Sequence, residues 1–469
     1  MTELSRDFLN AAKDLLGTSG WSQEADQLQQ AATPWRGTYQ GETPFLARPA
    51  STGETAALIK LCHTHHVAVT PQGGNTGLVD GGTPHGEICL SMTRMQAVRQ
   101  IDGVNNSLIL EAGAPLVIAQ EAAERAGRLF PLSLGSEGTA TIGGLISTNA
   151  GGVAVLRYGM MRDLLLGLEV VLPNGEVWSE LSGLRKNNTG YDLKHLFAGA
   201  EGTLGVITAA CLKLFPKVQT ATAWVACETA QHVVDLLAHI RCHVGDTVTS
   251  FEIIPTNALK MVEADYPDLK DPCPGQEPWR VLIEVSMTES AMASELLQAS
   301  LVPALEKRLA RDVLIAKNAQ EAGHFWTLRE TIPLSKRAYG TAINHDISVP
   351  ISKIPAFLRD CHDRIQALIP DTEIVAFGHV GDGNLHYSAC EAKHEEAPRL
   401  SPVADQITHI VHQTTLSYGG SISAEHGVGR LKRDELAELR PAAATWTMQA
   451  IKRALDPKNI MNPGRVVSI

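Results

Sequence analysis

Glycine is what most limits how this chain can fold: 40 of 469 residues are glycine, and in the first half they gather into tracts that interrupt every regular pattern. The tracts are Val69-Thr-Pro-Gln-Gly-Gly-Asn-Thr-Gly77, Pro131-Leu-Ser-Leu-Gly-Ser-Glu-Gly-Thr-Ala-Thr-Ile-Gly-Gly144, Ser147-Thr-Asn-Ala-Gly-Gly152 with Arg157-Tyr-Gly159, and Gly199-Ala-Glu-Gly-Thr-Leu-Gly205. Without bulky side chains such loops present backbone N–H groups to an anion. Neither nucleotide fingerprint fits them, because the three-glycine spacing of a Rossmann turn is wrong and no Gly-Lys-Ser/Thr triplet follows. One such tract alone is as well explained by an ordinary turn. Several, interleaved with strand-like runs at Leu166 to Leu172 and Val206 to Leu214, imply an extended phosphate-bearing ligand laid along a β-rich domain.

A different glycine pattern appears late. Phe377-Gly-His-Val-Gly-Asp-Gly-Asn-Leu-His386 reads as strand, tight turn, strand, and a hairpin can aim His379 and His386 at one point. Ser423-Ala-Glu-His-Gly-Val-Gly429 adds Glu425 and His426. Two imidazoles and a carboxylate suit zinc, or manganese where more oxygen ligands join. Glu425 is the carboxylate candidate, since Gly427 and Gly429 beside it allow close approach of the backbone. Neighbouring side chains on extended backbone point to opposite sides, which divides the pair into ligand, Glu425, and proton acceptor, His426. Asp382 reads as a turn residue. The bland alternative, buried and hydrogen-bonded histidines, is the better reading for a lone histidine but the weaker one for this set.

In order along the chain these motifs, with Lys186-Asn-Asn-Thr-Gly-Tyr-Asp192 and the closing Asn462-Pro-Gly-Arg465, resemble the FAD-linked D-2-hydroxyacid dehydrogenases of the vanillyl-alcohol-oxidase type, over roughly residues 35 to 469. The resemblance implies an α+β fold with a two-part FAD-binding domain and an α+β substrate or cap domain. It implies oxidation of a D-2-hydroxyacid, D-lactate-like or D-2-hydroxyglutarate, to the 2-oxoacid. Residues expected at the FAD are Pro71, Gly73, Gly74, Asn75, Thr76, Gly77, Pro131, Ser133, Gly135, Gly138, Thr139, Gly143, Gly144, Ser147, Asn149, Gly151, Gly159, Glu201, Gly202, Ile207 and Asn462. Where covalent members attach the flavin through histidine or cysteine, this chain offers Gln72 and Asn75, so noncovalent FAD is expected. The metal ligands would be His379, His386 and Glu425, with His426 as base, zinc as the expected metal and manganese as its alternative.

On the substrate side, Arg329 in Trp326-Thr-Leu-Arg-Glu330 matches the arginine that grips the substrate carboxylate in the resembling enzymes, a task suited to its planar fork. Read without the resemblance, it would rather pair with Glu330 or Asp346. Close D-2-hydroxyglutarate dehydrogenases carry a hydroxyl residue where Pro333 stands and a lysine where Asn344 stands, so an uncharged substrate side chain is expected. Lys336, seven residues after Arg329 on the same helical face, is the partial compensation unless Pro333 kinks that helix. Asn384 is placed near the metal or substrate.

Composition sets the remaining bounds. A net charge of −11 with no basic block argues against nucleic acid. No apolar signal core opens the chain, and no stretch of eighteen apolar residues suggests a membrane span. Eight scattered cysteines without a Cys-x-x-Cys pair read as reduced thiols and exclude iron–sulfur runs. Electrons must then pass to an external acceptor such as an electron-transfer flavoprotein or quinone. A cytoplasmic protein is expected, and a homodimer is allowed. The expected division is a FAD-binding domain over 1–217, a substrate domain over 218–420, and a C-terminal segment over 421–469 returning to the first. Two competing classes remain: a catalytically silent flavin-binding subunit, and a metallohydrolase, which would leave the early glycine tracts without purpose.

Overall fold

The computed structural model describes residues 4–35, 37, 39–391 and 399–469. They form two compact units. The first comprises 1–152, 159–217 and 425–469, and the second 153–158 and 218–424.

In the first unit, Arg6–Leu16 and Ala25–Ala32 form amphipathic helices. Ser5 caps the former by accepting from the Phe8 amide. A four-stranded sheet follows in the order Trp21–Ser22, Leu46–Ala47, Ile88–Ser91, Val69–Gln72, the last three parallel. A five-stranded antiparallel sheet lies beside it in sequence: Val98–Asp102, Ser107–Glu111, Val206–Lys213, Leu165–Val171, Val177–Glu180. These two sheets give the two-part arrangement that the resemblance implies for this domain. Val69, Ile88 and Leu90 are fully buried with Phe8, Phe45, Leu58 and Ile59 in one core. The C-terminal residues join it, since the Val69 amide donates to Ile460 O at 2.8 Å and the Asn462 amide to Val69 O at 2.8 Å.

The second unit is built on a seven-stranded antiparallel sheet. Its order is Asp312–Ile315, Gln219–Cys227, Trp279–Met287, Val248–Pro255, Glu373–His379, Asn384–Cys390, Ala342–Ser348. Period-two alternation divides its side chains between two faces. Ala223, Val225, Phe251, Ile253, Ile283, Leu385 and Tyr387 face helices Ala230–Val244, Ser290–Glu306, Ile354–Leu368 and Ala404–Ser417 in an apolar core. Trp224, Ile254, Leu282, Val375 and Phe377 face the other way, against Phe325, Leu328 and Ile332 of the 21-residue helix Ala319–Tyr339. That second face also carries Glu252, Glu284, His379, His386, Ser388, Asn344 and Asp346. Polar groups among so many apolar neighbours mark it as the working face.

Pro333 does not end the long helix, which runs unbroken from Ala319 to Tyr339. Arg329 and Lys336 therefore stay on one continuous element. The backbone at Ser421 pairs with Ser348, so the chain leaves the second unit after residue 424 rather than after 420.

Candidate active site

The hairpin places both histidines as their spacing implies. Glu373–His379 pairs with Asn384–Cys390 in a register that sets Phe377 opposite His386, and the His379 and His386 rings meet edge-on with centroids 5.5 Å apart. Gly383, with φ of 89°, takes the left-handed turn position that a side chain would strain. Asp382 is the turn residue expected, accepting from the Asn384 amide at 3.1 Å. Burial raises its carboxyl to about 6, with His379 opposing that shift.

The group that organises this cluster was not foreseen. Glu252, in the strand Val248–Pro255 and 1% exposed, accepts from His379 Nδ1 at 2.6 Å with one oxygen and from Arg329 Nε at 2.8 Å with the other. Burial alone would raise its pKa, but the facing His379 and Arg329 charges outweigh that and bring it down to about 2. Losing one member of so buried a set would leave uncompensated charge, a cost of about 3–5 kcal/mol. The sequence signal was available: a single glutamate amid Val248-Thr-Ser-Phe-Glu-Ile-Ile-Pro255 is an ionisable group inside an apolar strand. Arg329 therefore pairs with neither Glu330 nor Asp346. Its Nη2 is buried without a hydrogen-bond partner among the described residues, which leaves part of the fork to receive a ligand carboxylate.

Across the neighbouring strands, Asp346 stands opposite His386 and Asn344 opposite Ser388. Asp346 Oδ1 lies 3.9 Å from His386 Nδ1. Asn384 Nδ2 donates to Asp346 Oδ1 at 2.8 Å and to Ile347 O at 2.9 Å, so its side chain holds Asp346 in place. Lys336 is buried and donates to Ser388 Oγ at 2.5 Å, while that hydroxyl donates to Asn344 Oδ1 at 2.9 Å. The Arg329 guanidinium and the Lys336 ammonium lie 5.0 and 5.3 Å from the Phe377 ring centre. Arg337, one residue on, is exposed.

Glu425 and His426 begin the return of the chain to the first unit. Residues 424–426 are bends, not strand, so the alternation argument for their opposite directions does not apply. Gly427 and Gly429 have positive φ, 84° and 53°. Here Glu201 has an unexpected duty: its two carboxylate oxygens accept from the Val428 and Gly429 amides, each at 2.8 Å. The 199–205 tract thus holds the segment just after His426. Burial raises the Glu201 carboxyl to about 6 against those two amides.

The glycine tracts of the first unit interlock as a cradle. A Cβ on Gly74 would sit 1.8 Å from Thr139 O, one on Gly152 2.2 Å from Ser133 O, and one on Gly202 3.2 Å from Pro71 Cγ. The Glu201 amide donates to Ser147 O at 2.8 Å, and Asn462 Nδ2 donates to Gly81 O at 2.9 Å and Glu201 O at 2.7 Å. Pro71 lies within its strand, Val69–Gln72; Gly73, Asn75, Thr76 and Gly77 follow in the loop. Pro131, Gly135 and Gly138 lie in the loop before helix Ile142–Thr148, which carries Gly143 and Gly144. Asn149 caps that helix in the left-handed region, Gly151 follows in the same loop, Gly159 follows helix Val155–Tyr158, and Ile207 is buried in its strand. Some side chains are turned to structure. Asn75 Nδ2 donates to Thr33 O at 2.9 Å, Ser133 Oγ to Glu137 at 2.6 Å, and Asn149 accepts from the Arg162 amide at 2.8 Å. Thr141 Oγ1 and Asn462 Oδ1 are buried without hydrogen-bond partners among the described residues. Backbone-exposing loops with such orphaned groups fit a dinucleotide cofactor.

Comparison with known proteins agrees with that geometry. Residues 43–179 match the family model "FAD binding domain", and residues 216–466 match "FAD linked oxidases, C-terminal domain". The chain belongs to the FAD-linked oxidase family. It is 37% identical to the mitochondrial D-2-hydroxyglutarate dehydrogenase of Bos taurus, covering 95% of this chain and 80% of that one. It is 33% identical to a D-2-hydroxyglutarate–pyruvate transhydrogenase of Saccharomyces cerevisiae, covering 95% and 91%. Among solved structures, p-cresol methylhydroxylase superposes with a TM-score of 0.76 at 17% identity over 99% of this chain and 98% of that one. An alkyldihydroxyacetonephosphate synthase superposes equally well, at 0.76 and 18% identity over 98% and 86%; both likenesses speak to fold alone. The chain is a FAD-dependent D-2-hydroxyacid dehydrogenase.

Proposed function

We propose that this dehydrogenase works with a divalent metal held by His379, His386 and Glu425, and with noncovalent FAD held by the cradle of the first unit. The observation that carries the reading is the Glu252 contact to His379. With Nδ1 donating to a carboxylate, the neutral ring, which is the form that binds a metal, presents its lone pair at Nε2. Glu425 is four residues past Ser421, which is paired to Ser348, so chain length keeps it within roughly 14 Å of that point. When bound, FAD supplies the two-electron acceptor, and a divalent ion would hold the hydroxyl and carboxylate oxygens while lowering the hydroxyl pKa. Arg329 orients the carboxylate through the open side of its fork. His426 takes the hydroxyl proton, because a neutral imidazole accepts near working pH. Asn384 keeps Asp346 beside His386. Zinc is the metal proposed and manganese its competitor. A chelator should abolish turnover while the flavin stays bound, and full activity in verified metal-free protein would falsify the metal role.

For the substrate, the buried Lys336 beside Ser388 and Asn344 favours an acid with a second carboxylate, D-2-hydroxyglutarate-like. The cation that the sequence lacks at 344 would then come from the helix instead of the strand. An acid with an uncharged side chain, such as D-lactate, is the second reading, favoured by Asn344 and Pro333 themselves. The ratio of kcat/KM for D-2-hydroxyglutarate over D-lactate decides between them. Under the first reading Lys336→Met lowers that ratio tenfold or more, as expected when a charge-assisted hydrogen bond worth about 1.5–3 kcal/mol is lost; a ratio already below one in the wild type favours the second. Reduced electrons would leave for an electron-transfer flavoprotein or a quinone. No helix among the described residues is long and apolar enough to cross a membrane. All eight cysteines are free thiols, which fits a reducing compartment: the cytosol as first expected, or the mitochondrion named for the bovine relative.

A further inference from the structure

We infer that Glu252 is a positioning residue with two duties, fixing the metal-binding histidine and the substrate-binding arginine through one carboxylate. The inference rests on the metal reading above and goes beyond it in naming what preorganises the site. Its geometry is unusually restrictive. Glu252 sits directly opposite His379 in the strand register, so the Nδ1 contact at 2.6 Å is built into the sheet. The second oxygen reaches the Ala319–Tyr339 helix and takes Arg329 Nε at 2.8 Å.

Each contact has a separate consequence. Accepting from Nδ1 selects the tautomer in which Nε2 is the ligating nitrogen and stops the ring from rotating. Accepting from Nε uses the back of the guanidinium and leaves Nη2, buried and without a partner among the described residues, for a carboxylate. A residue that served only to neutralise Arg329 would not need the histidine, and one that served only the histidine would not need to span two elements. Because both partners draw on the same 1%-exposed side chain, metal affinity and carboxylate affinity should fall together when it changes.

The experiment uses purified holoenzyme with its flavin. Metal affinity is measured by competition of Zn²⁺ or Mn²⁺ with a chromophoric chelator, independently of turnover, and KM and kcat are measured at saturating metal. Glu252→Gln keeps the shape but can accept through one atom only. We expect metal affinity to fall by about 10- to 100-fold and KM for the hydroxyacid to rise at least tenfold, with flavin content unchanged. Glu252→Asp, one methylene shorter, should show the same paired loss and serves if the glutamine variant does not fold. A folded variant that changes one quantity and leaves the other at the wild-type value overturns the shared role, as does one that changes neither. A wild-type protein that binds neither ion sinks the metal reading instead, and Glu252 variants need not be made to learn that.

Discussion

His426 and Glu425 are neighbours in sequence with separate tasks proposed for them, and that separation is measurable at the level of one side chain. His426→Ala should lower kcat by roughly 10²- to 10⁴-fold, as removal of a general base does, while metal stays near one ion per chain. If metal is lost in proportion to activity, His426 is a ligand and the assignment of the pair reverses. Its local support is Glu201, whose carboxylate holds the two amides just downstream. His379 and His386 were legible in the sequence through the glycine-rich turn between them, and Arg329 only through the family resemblance. Glu252 and Asp346 were not picked out, although Glu252 stands alone in a mostly apolar run, since their partners lie on other strands and, for Arg329, on a helix. Asn384, expected near the ligands, proves to be the group that fixes Asp346.

At the scale of elements, the long helix and the strands beneath it form a ladder of polar contacts. Trp326 Nε1 donates to Glu284 at 3.2 Å, Arg329 to Glu252, and Lys336 to Ser388, so one helix meets the strands Trp279–Met287, Val248–Pro255 and Asn384–Cys390 in turn. The spacing of three and then seven residues keeps all three side chains on the buried face. Glu284 supplies a pH test of this ladder. Burial raises its carboxyl to about 7, opposed only in part by Trp326 and Thr222. A raised folded pKa means the neutral form stabilises the fold fully below the ordinary value near 4.5, and that contribution is lost as pH rises through about 7. Glu284→Gln should therefore gain on the wild type by an order of 2–3 kcal/mol in urea melts at pH 8 relative to pH 5. An unchanged difference between the two pH values would show the carboxyl to be ionised throughout. Pro333, expected to disturb this helix, is exposed on it, and the ladder passes it on the other face.

For the whole molecule, the proposed metal and the flavin are predicted to be removable separately. Stripping metal should leave the flavin absorption intact, since none of the three proposed ligands, His379, His386 and Glu425, is among the residues of the glycine cradle, and readdition of Zn²⁺ or Mn²⁺ should restore turnover; loss of flavin on chelation would show the two sites to be one folding unit. The sequence by itself determined the glycine tracts and the histidine hairpin, because these depend on short-range rules, glycine density and turn residues a few positions apart, and its motifs in order carried the resemblance that implied the class of fold. Tertiary structure alone decided which carboxylate meets His379, that Arg329 turns to Glu252, that Glu201 clasps the 428–429 backbone, and that Lys336 reaches Ser388 beside Asn344. Each of those pairs joins residues from 52 to 228 positions apart, and strand order and register, not local propensity, choose such partners.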